Sequence, residues 1–251
     1  MSYAEELKLF KAAHKYESIT VGGSNFHYIL SGKKESKTLV MLNGGMDTSE
    51  MWACMLFLKI GVTKPIFGGA SDGGLVAQIY TYKYHGEVGG LILVSTGGMD
   101  AATLKSLKKK YFFAPLMLFY MKHCNYEKLK PRLIKMAMGH IRNESEEQIA
   151  YAKDMFETIF KDFTQEKDVH ISGLLADLMN QKPVTEADFK DLEGKILLIL
   201  PNQDFFSEKM QKDLIALMHD PEIQYVSGGH LSTILRADDY VKTIREFLPK
   251  I

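Results

Sequence analysis

Apolar residues form several short, nearly continuous segments along this chain, and between these segments apolar side chains recur at helical spacing. The apolar segments are residues 38–42, 65–67, 91–94, 196–200 and 223–226. Helical spacing is found in residues 5–14, 75–80, 209–218 and 238–247. Short apolar segments are typical of strands buried on both faces. Their alternation with helices predicts an α/β fold with a mostly parallel, doubly wound sheet.

Two regions depart from this alternation. Residues 18–30 alternate apolar and polar side chains on either side of a glycine-containing turn, which predicts a hairpin ahead of the sheet. Between residues 100 and 183 the strand pattern is absent and apolar residues are spaced as in helices. We therefore expect one α/β core, formed by residues 1–99 and 184–251, with residues 100–183 inserted as a helical cap.

The most apolar and aromatic stretch of the chain lies within this cap, at residues 111–121. Two interpretations of it stay open. The stretch packs the cap against the core, or part of it lines an apolar pocket for an acyl group, because ligand sites favour the boundary between two subdomains. Its length is far below the roughly 20 apolar residues that a bilayer requires, which argues against a membrane span.

Ser71 stands between an apolar strand and a helix, in the sequence Gly69-Ala70-Ser71-Asp72-Gly73. A strand-to-helix turn that exposes a hydroxyl needs small residues on both sides, which Gly69 and Gly73 supply. The amides at the start of the following helix would face the negative charge that gathers there during acyl transfer. The pattern predicts a nucleophile elbow, with a glycine-rich turn of no catalytic role as the alternative.

Two further residues with the chemistry of a serine hydrolase follow later strands. Asp204 and His230 each lie in the loop after an apolar segment. The carboxyl ends of neighbouring parallel strands meet at one edge of a sheet, so both side chains are expected to reach Ser71. His230 would then take the serine proton, and Asp204 would orient the imidazole. Asp100, which follows another apolar strand, is the rival acid.

A second glycine-rich loop, Asn43-Gly44-Gly45-Met46, ends the strand at residues 38–42. Small residues there let backbone amides approach a tetrahedral intermediate. We predict an oxyanion hole formed by the amide of Asp72 and one from Gly45 or Met46. A plain glycine turn is the alternative, and neither a dinucleotide nor a Walker pattern is present.

Composition narrows the possible partners. The chain has 251 residues, 46% of them hydrophobic, with 31 basic and 31 acidic side chains. This balance gives no indication of a nucleic-acid or anionic membrane surface, so a small molecule is the expected partner. Cys54 and Cys124 are too few for a disulfide framework, and no histidine pair has metal-ligand spacing. We expect neither a metal nor a cofactor.

The first residues, Met1-Ser2-Tyr3-Ala4-Glu5-Glu6, are acidic and lack the basic and apolar regions of a signal peptide. No segment is long enough to span a bilayer. A cytoplasmic protein is therefore expected, as a monomer or a homodimer.

With Ser71, Asp204 and His230 in that chain order, the sequence resembles the α/β-hydrolase superfamily, specifically its capped esterase and lipase-like members. The resemblance covers nearly the whole chain, from the hairpin to the last helix. It implies a Ser-His-Asp triad but does not specify the substrate. Many members have His-Gly where this chain has Asn43-Gly44, although the backbone amides would remain available.

The chain departs from the superfamily between the oxyanion loop and the elbow. Members have about 40 residues or more there, including a central strand, whereas this chain has only residues 51–64. The apparent junction falls between Trp52 and Phe57, and it reflects either a real deletion or omitted residues. Loss of the strand would detach the opening hairpin from the sheet or force it to pair elsewhere.

The resemblance and the residues together predict a serine hydrolase that cleaves a small, apolar acyl ester through an acyl-enzyme. An amide, thioester or C–C bond is a less favoured substrate. The alternative is a catalytically weak or inactive hydrolase-like protein that binds a ligand or partner.

Overall fold

The computed structural model describes residues 1–21, 24–31, 38–44, 64–141 and 144–251. The strands are β1 (Tyr16–Val21), β2 (Ser24–Ile29), β3 (Leu39–Leu42), β4 (Ile66–Ala70), β5 (Gly90–Val94), β6 (Ile196–Pro201) and β7 (Glu222–Val226). The helices are α1 (Tyr3–Ala13), α2 (Asp72–Lys83), α3 (Ala101–Lys110), α4 (Ala114–His123), α5 (Tyr126–Met138), α6 (Glu146–Lys161), α7 (Gln165–Met179), α8 (Glu208–Leu217), α9 (Ser232–Leu235) and α10 (Ala237–Phe247). Short 3₁₀ helices span Glu186–Leu192 and Leu248–Lys250.

Within the described residues, five parallel strands form the central sheet, in the order β3-β4-β5-β6-β7. Every residue of β4, β5 and β6 is buried. Successive side chains point to opposite faces, so Leu91 and Leu93 join one apolar cluster with α2 and α8, while Ile92 and Val94 join another with α10. The predicted α/β class and mostly parallel sheet are confirmed.

The opening hairpin is present as predicted, with β1 and β2 antiparallel. Among the described strands it forms a sheet of its own, and β3 lies at the edge of the five-stranded sheet. A detached hairpin is one of the two outcomes expected if a strand is lacking before β4. The junction between Trp52 and Phe57 lies outside the described residues, so the missing segment stays a prediction.

The α-helices α3 to α7 of the described residues lie between β5 and β6, where the sequence predicts a helical cap. Helix α1 packs on this region: the amide of Ala4 donates to Oδ2 of Asp154 at 3.0 Å, and the hydroxyl of Tyr151 donates to Glu6 at 2.6 Å. The division into a core and an inserted cap remains a prediction.

The apolar stretch 111–121 is mostly at the surface. Met121 is buried, but six of the large apolar side chains before it are more than half exposed. Neither packing against the core nor an enclosed pocket accounts for these six. No helix within the described ranges is long and apolar enough to cross a membrane.

Candidate active site

Ser71 lies at the sharp turn between β4 and α2. Its backbone has φ +51°, a value in the left-handed region that non-glycine residues rarely adopt. Neighbouring groups hold this conformation. The Ser71 amide donates to the carbonyl of Val94 at 3.0 Å, and the hydroxyl of Thr96 donates to the carbonyl of Ser71 at 2.7 Å. A strained serine between a strand and a helix is the geometry of a nucleophile elbow.

The glycines on either side of Ser71 leave no room for a side chain. A Cβ on Gly69 would lie 2.2 Å from the carbonyl oxygen of Gly73, and one on Gly73 would lie 2.3 Å from that of Leu42. The first turn of α2 therefore packs directly against the backbone of β4 and the end of β3. This contact also brings the start of the glycine-rich loop, at Asn43, next to the elbow.

Ser71, His230 and Asp204 form one line of hydrogen-bonded side chains. Nε2 of His230 lies 3.0 Å from Oγ of Ser71, and Nδ1 lies 2.6 Å from Oδ1 of Asp204. The Asp204 side chain is only 1% exposed, whereas that of His230 is 23% exposed. An ionised carboxylate only accepts hydrogen bonds, so Nδ1 carries a proton and Nε2 of the neutral ring faces the serine as an acceptor.

The rival acid, Asp100, has a different role in the structure. Its Oδ1 accepts hydrogen bonds from the amides of Ala102 and Thr103, both at 2.9 Å. Asp100 therefore caps the N-terminus of α3. The structure brings Asp204, and not Asp100, into hydrogen-bond contact with His230.

The predicted oxyanion groups are only partly described. Asp72 is the first residue of α2, so its amide lies at the positive end of the helix dipole, next to Ser71. Gly45 and Met46 lie outside the described residues. The described part of their loop ends at Gly44, which is buried.

An apolar wall stands beside His230. The rings of Phe205 and Phe206 both lie 5.9 Å from the imidazole, centroid to centroid. They belong to an apolar cluster that includes Tyr111 and Met179 from the helical region. Burial and the charge of Asp72 raise the pKa of Tyr111. The hydrophobic pattern does not mark the two phenylalanines as site residues, although they directly follow Asp204 in the sequence.

A cation also lies at this wall. Nζ of Lys110 is 3.3 Å from the ring centroid of Phe205. Burial lowers the pKa of Lys110, because the charged ammonium is partly withdrawn from water. Lys110 from the helical region thus lies against the ring of Phe205, which itself lies beside His230.

Two buried polar contacts hold the segment after His230. The hydroxyls of Ser232 and Tyr240 lie 2.6 Å apart, and burial raises the pKa of Tyr240 to about 12, so the phenol stays neutral at physiological pH. Arg236 donates to Glu144 at 2.8 Å, and the Glu144 side chain is 1% exposed. No local sequence pattern reveals either pair.

The described residues contain no group of three or more His, Cys, Asp or Glu side chains placed to hold a metal ion. Cys124 is a half-buried free thiol, and Cys54 lies outside the described part of the chain. The site chemistry visible here is that of a serine, an imidazole and a carboxylate.

No protein-family model matches the sequence, and no curated protein sequence matches it. Several solved structures are similar in fold. An enol-lactonase from Burkholderia xenovorans LB400 superposes with a TM-score of 0.73 at 14% identity, covering 93% of this chain and 100% of the other. An esterase from Thermogutta terrifontis gives 0.66 at 15%, covering 94% and 98%.

An α/β hydrolase enzyme from a Medee basin deep-sea metagenome library gives a TM-score of 0.60 at 14% identity, covering 94% of this chain and 98% of that one. At these low sequence identities, the structural similarity is evidence for a shared fold. The parallel sheet, the strained serine after β4 and the loops that follow β6 and β7 agree with it. The chain has the α/β-hydrolase fold.

Proposed function

We propose that this protein is a cofactor-independent serine hydrolase that cleaves a small, apolar acyl ester. The observation that carries the proposal is the line of hydrogen bonds from Ser71 through His230 to the buried carboxylate of Asp204. In this arrangement the serine hydroxyl donates to a neutral imidazole whose tautomer the carboxylate fixes.

Catalysis would begin when Oγ of Ser71 attacks the ester carbonyl while Nε2 of His230 takes the hydroxyl proton. Collapse of the tetrahedral intermediate breaks the bond to the alkoxide, which receives that proton from His230 and leaves as an alcohol. Water then attacks the acyl-enzyme with His230 as its base, and the carboxylic acid and the free serine are regenerated. Asp204 stabilises the imidazolium in both steps.

The developing oxyanion would be stabilised by backbone amides. We assign one to Asp72, because it begins α2 directly after the nucleophile. The second would come from Gly45 or Met46. Their loop leaves β3 where the carbonyl oxygens of Leu42 and Asn43 pack against Gly73 in the first turn of α2.

Two observations support an apolar acyl ester. Phe205 and Phe206 form an apolar wall beside His230, and they pack in one cluster with Tyr111 of the helical region that we interpret as a cap. The solved structures of similar fold include an enol-lactonase and an esterase, and a lactone is a cyclic ester.

A catalytically inactive, ligand-binding protein is the second candidate. It is favoured by the position of β3, which among the described strands has a neighbour on one side only. An edge strand is hydrogen-bonded to the sheet on one side only. The predicted oxyanion loop after β3 would therefore be held less firmly than a loop after a central strand.

Labelling with a fluorophosphonate probe followed by intact-mass measurement tests the proposal, with Ser71→Ala as the control. A single adduct that the control lacks, together with turnover of p-nitrophenyl esters that depends on acyl length, is the expected result. The absence of both, in protein that unfolds cooperatively, would favour the ligand-binding alternative. Thermal unfolding recorded on the same samples separates an inactive folded protein from an unfolded one.

A further inference from the structure

The turn before α4 and its outer surface form an exposed apolar patch. Its members are large apolar side chains that are each more than half exposed: Phe112 (73%), Phe113 (70%), Leu116 (65%), Met117 (52%), Phe119 (62%) and Tyr120 (52%). We call these six residues the aromatic patch. Contiguous apolar surface of this kind marks an interaction site in a soluble protein.

The patch faces outward because the other side of α4 is packed. Met121 is buried, and the side chain of Gln165, at the start of α7, donates hydrogen bonds to the carbonyls of Met121 and Cys124. Phe113, Met117 and Tyr120 are spaced four and three residues apart, so they lie along one side of the helix. The helix is therefore fixed to the protein with its apolar surface toward the outside.

Positive charge borders the aromatic patch. Lys108 and Lys109 precede it in the last turn of α3, Lys122 follows it in the last turn of α4, and all three are exposed. No aspartate or glutamate occurs between Asp100 and Glu127, although acidic and basic residues balance over the whole chain. The segment that carries the patch, residues 101–126, therefore has basic side chains and no acidic ones.

These features fit one occupant best. Anionic lipid headgroups complement the lysines, and the boundary of the acyl chains accepts the aromatic side chains. A second copy of the chain fits less well, because a two-fold contact through the patch would bring the lysines of both copies together. We propose that the aromatic patch docks this protein onto an anionic lipid surface. The proposal stands apart from the hydrolase activity proposed above.

Flotation with lipid vesicles tests this docking. The full chain should bind vesicles of equal parts phosphatidylcholine and phosphatidylglycerol, bind vesicles of phosphatidylcholine alone much more weakly, and be released by high salt. The double variant Lys108→Gln/Lys109→Gln should weaken binding about fivefold for each lysine removed. The double variant Phe112→Ser/Phe119→Ser should lose binding to both kinds of vesicle.

Matched controls lie elsewhere on the surface. Leu9 is 61% exposed on α1 and Lys242 is exposed on α10, so Leu9→Ser and Lys242→Gln should leave vesicle binding unchanged. Unfolding curves should agree across all variants, because the replaced side chains are exposed. Equal binding by the patch variants and the controls would overturn the proposal. It would also fall if light scattering showed a dimer that Phe112→Ser/Phe119→Ser dissociates.

Discussion

Oδ1 of Asp204 lies 2.6 Å from Nδ1 of His230, while Oδ2 of the same carboxylate is buried and has no hydrogen-bond partner within the described residues. Oδ1 also accepts a hydrogen bond from the amide of Phe206 at 3.3 Å. Both hydrogen bonds therefore converge on one oxygen of a side chain that water scarcely reaches. A carboxylate in this position interacts strongly with an imidazolium that forms beside it.

Replacing Asp204 with asparagine is expected to lower kcat by about four orders of magnitude, because an amide cannot hold His230 in the required tautomer. Ester turnover and thermal unfolding of the same preparation would measure the effect. Asp100→Ala is the matched control. It removes the cap of α3 and should cost about 1 kcal/mol of stability, with kcat unchanged. A loss of turnover in this control, with Asp204→Asn still active, would assign the acid to Asp100.

The close packing around Gly73 at the elbow predicts that a larger residue there lowers both stability and activity. Gly73→Ala places a methyl group 2.3 Å from the carbonyl oxygen of Leu42, so β3 and α2 must separate. We expect a loss of about 1–3 kcal/mol in the free energy of unfolding, together with a fall in kcat, because the elbow and the glycine-rich loop move apart.

Gly173→Ala is its control, since a methyl group there meets no atom within 4 Å and the residue lies inside α7. This variant should gain about 0.5–1 kcal/mol through helix propensity. Denaturant unfolding of both variants gives the comparison. Equal stability of Gly73→Ala and the wild type would contradict the packing described at the elbow.

Each of the three residues that the structure joins by hydrogen bonds, Ser71, His230 and Asp204, carries a local signal in the sequence. Ser71 lies between glycines, and Asp204 and His230 directly follow apolar strands whose ends must meet at one edge. Thr96, whose hydroxyl donates to the carbonyl of Ser71, carries no such signal, because the contact joins the segments that follow β4 and β5. The exposure of Phe119 could not be predicted either, because an apolar stretch indicates burial and only tertiary packing decides which side of α4 is covered.

Glu144 and Arg236 form an ion pair, and replacing one partner is expected to cost more stability than replacing the other. Glu144 is 1% exposed and Arg236 is 27% exposed at the side chain. Arg236→Met leaves a buried carboxylate without its partner and should cost about 3–5 kcal/mol. Glu144→Gln leaves an arginine that can reach water, so it should cost less.

Denaturant unfolding of both single variants and of Glu144→Gln/Arg236→Met completes a double-mutant cycle for this pair. The double variant should be more stable than Arg236→Met alone, because it leaves no unpaired charge. Strictly additive single costs would show that the two side chains do not interact energetically. Gly228, two residues before His230, packs against the same pair, since a Cβ there would lie 2.5 Å from Oε1 of Glu144.

A buried carboxylate in the helical region gives the last prediction, a pH dependence of stability. Burial raises the pKa of Asp168, and the hydrogen bond from the hydroxyl of Tyr126, at 2.9 Å, opposes that shift. The folded protein therefore binds a proton more tightly than the unfolded chain. The cost of this carboxylate is absent below its ordinary pKa of 3.8 and grows as the pH rises through the raised pKa.

Asp168→Asn removes this cost and can keep the hydrogen bond from Tyr126 through its carbonyl oxygen. Its advantage over the wild type in the free energy of unfolding should thus be small below pH 3.8, increase as the pH rises and level off near neutrality. Tyr126→Phe is the control of opposite sign. It deletes the hydrogen bond that favours the ionised carboxyl, so it should destabilise the protein more at neutral pH than in acid. Urea unfolding of the three proteins between acid and neutral pH measures these differences. A difference between Asp168→Asn and the wild type that does not change with pH would contradict the prediction, because Asp168 would then titrate alike in the folded and unfolded chains.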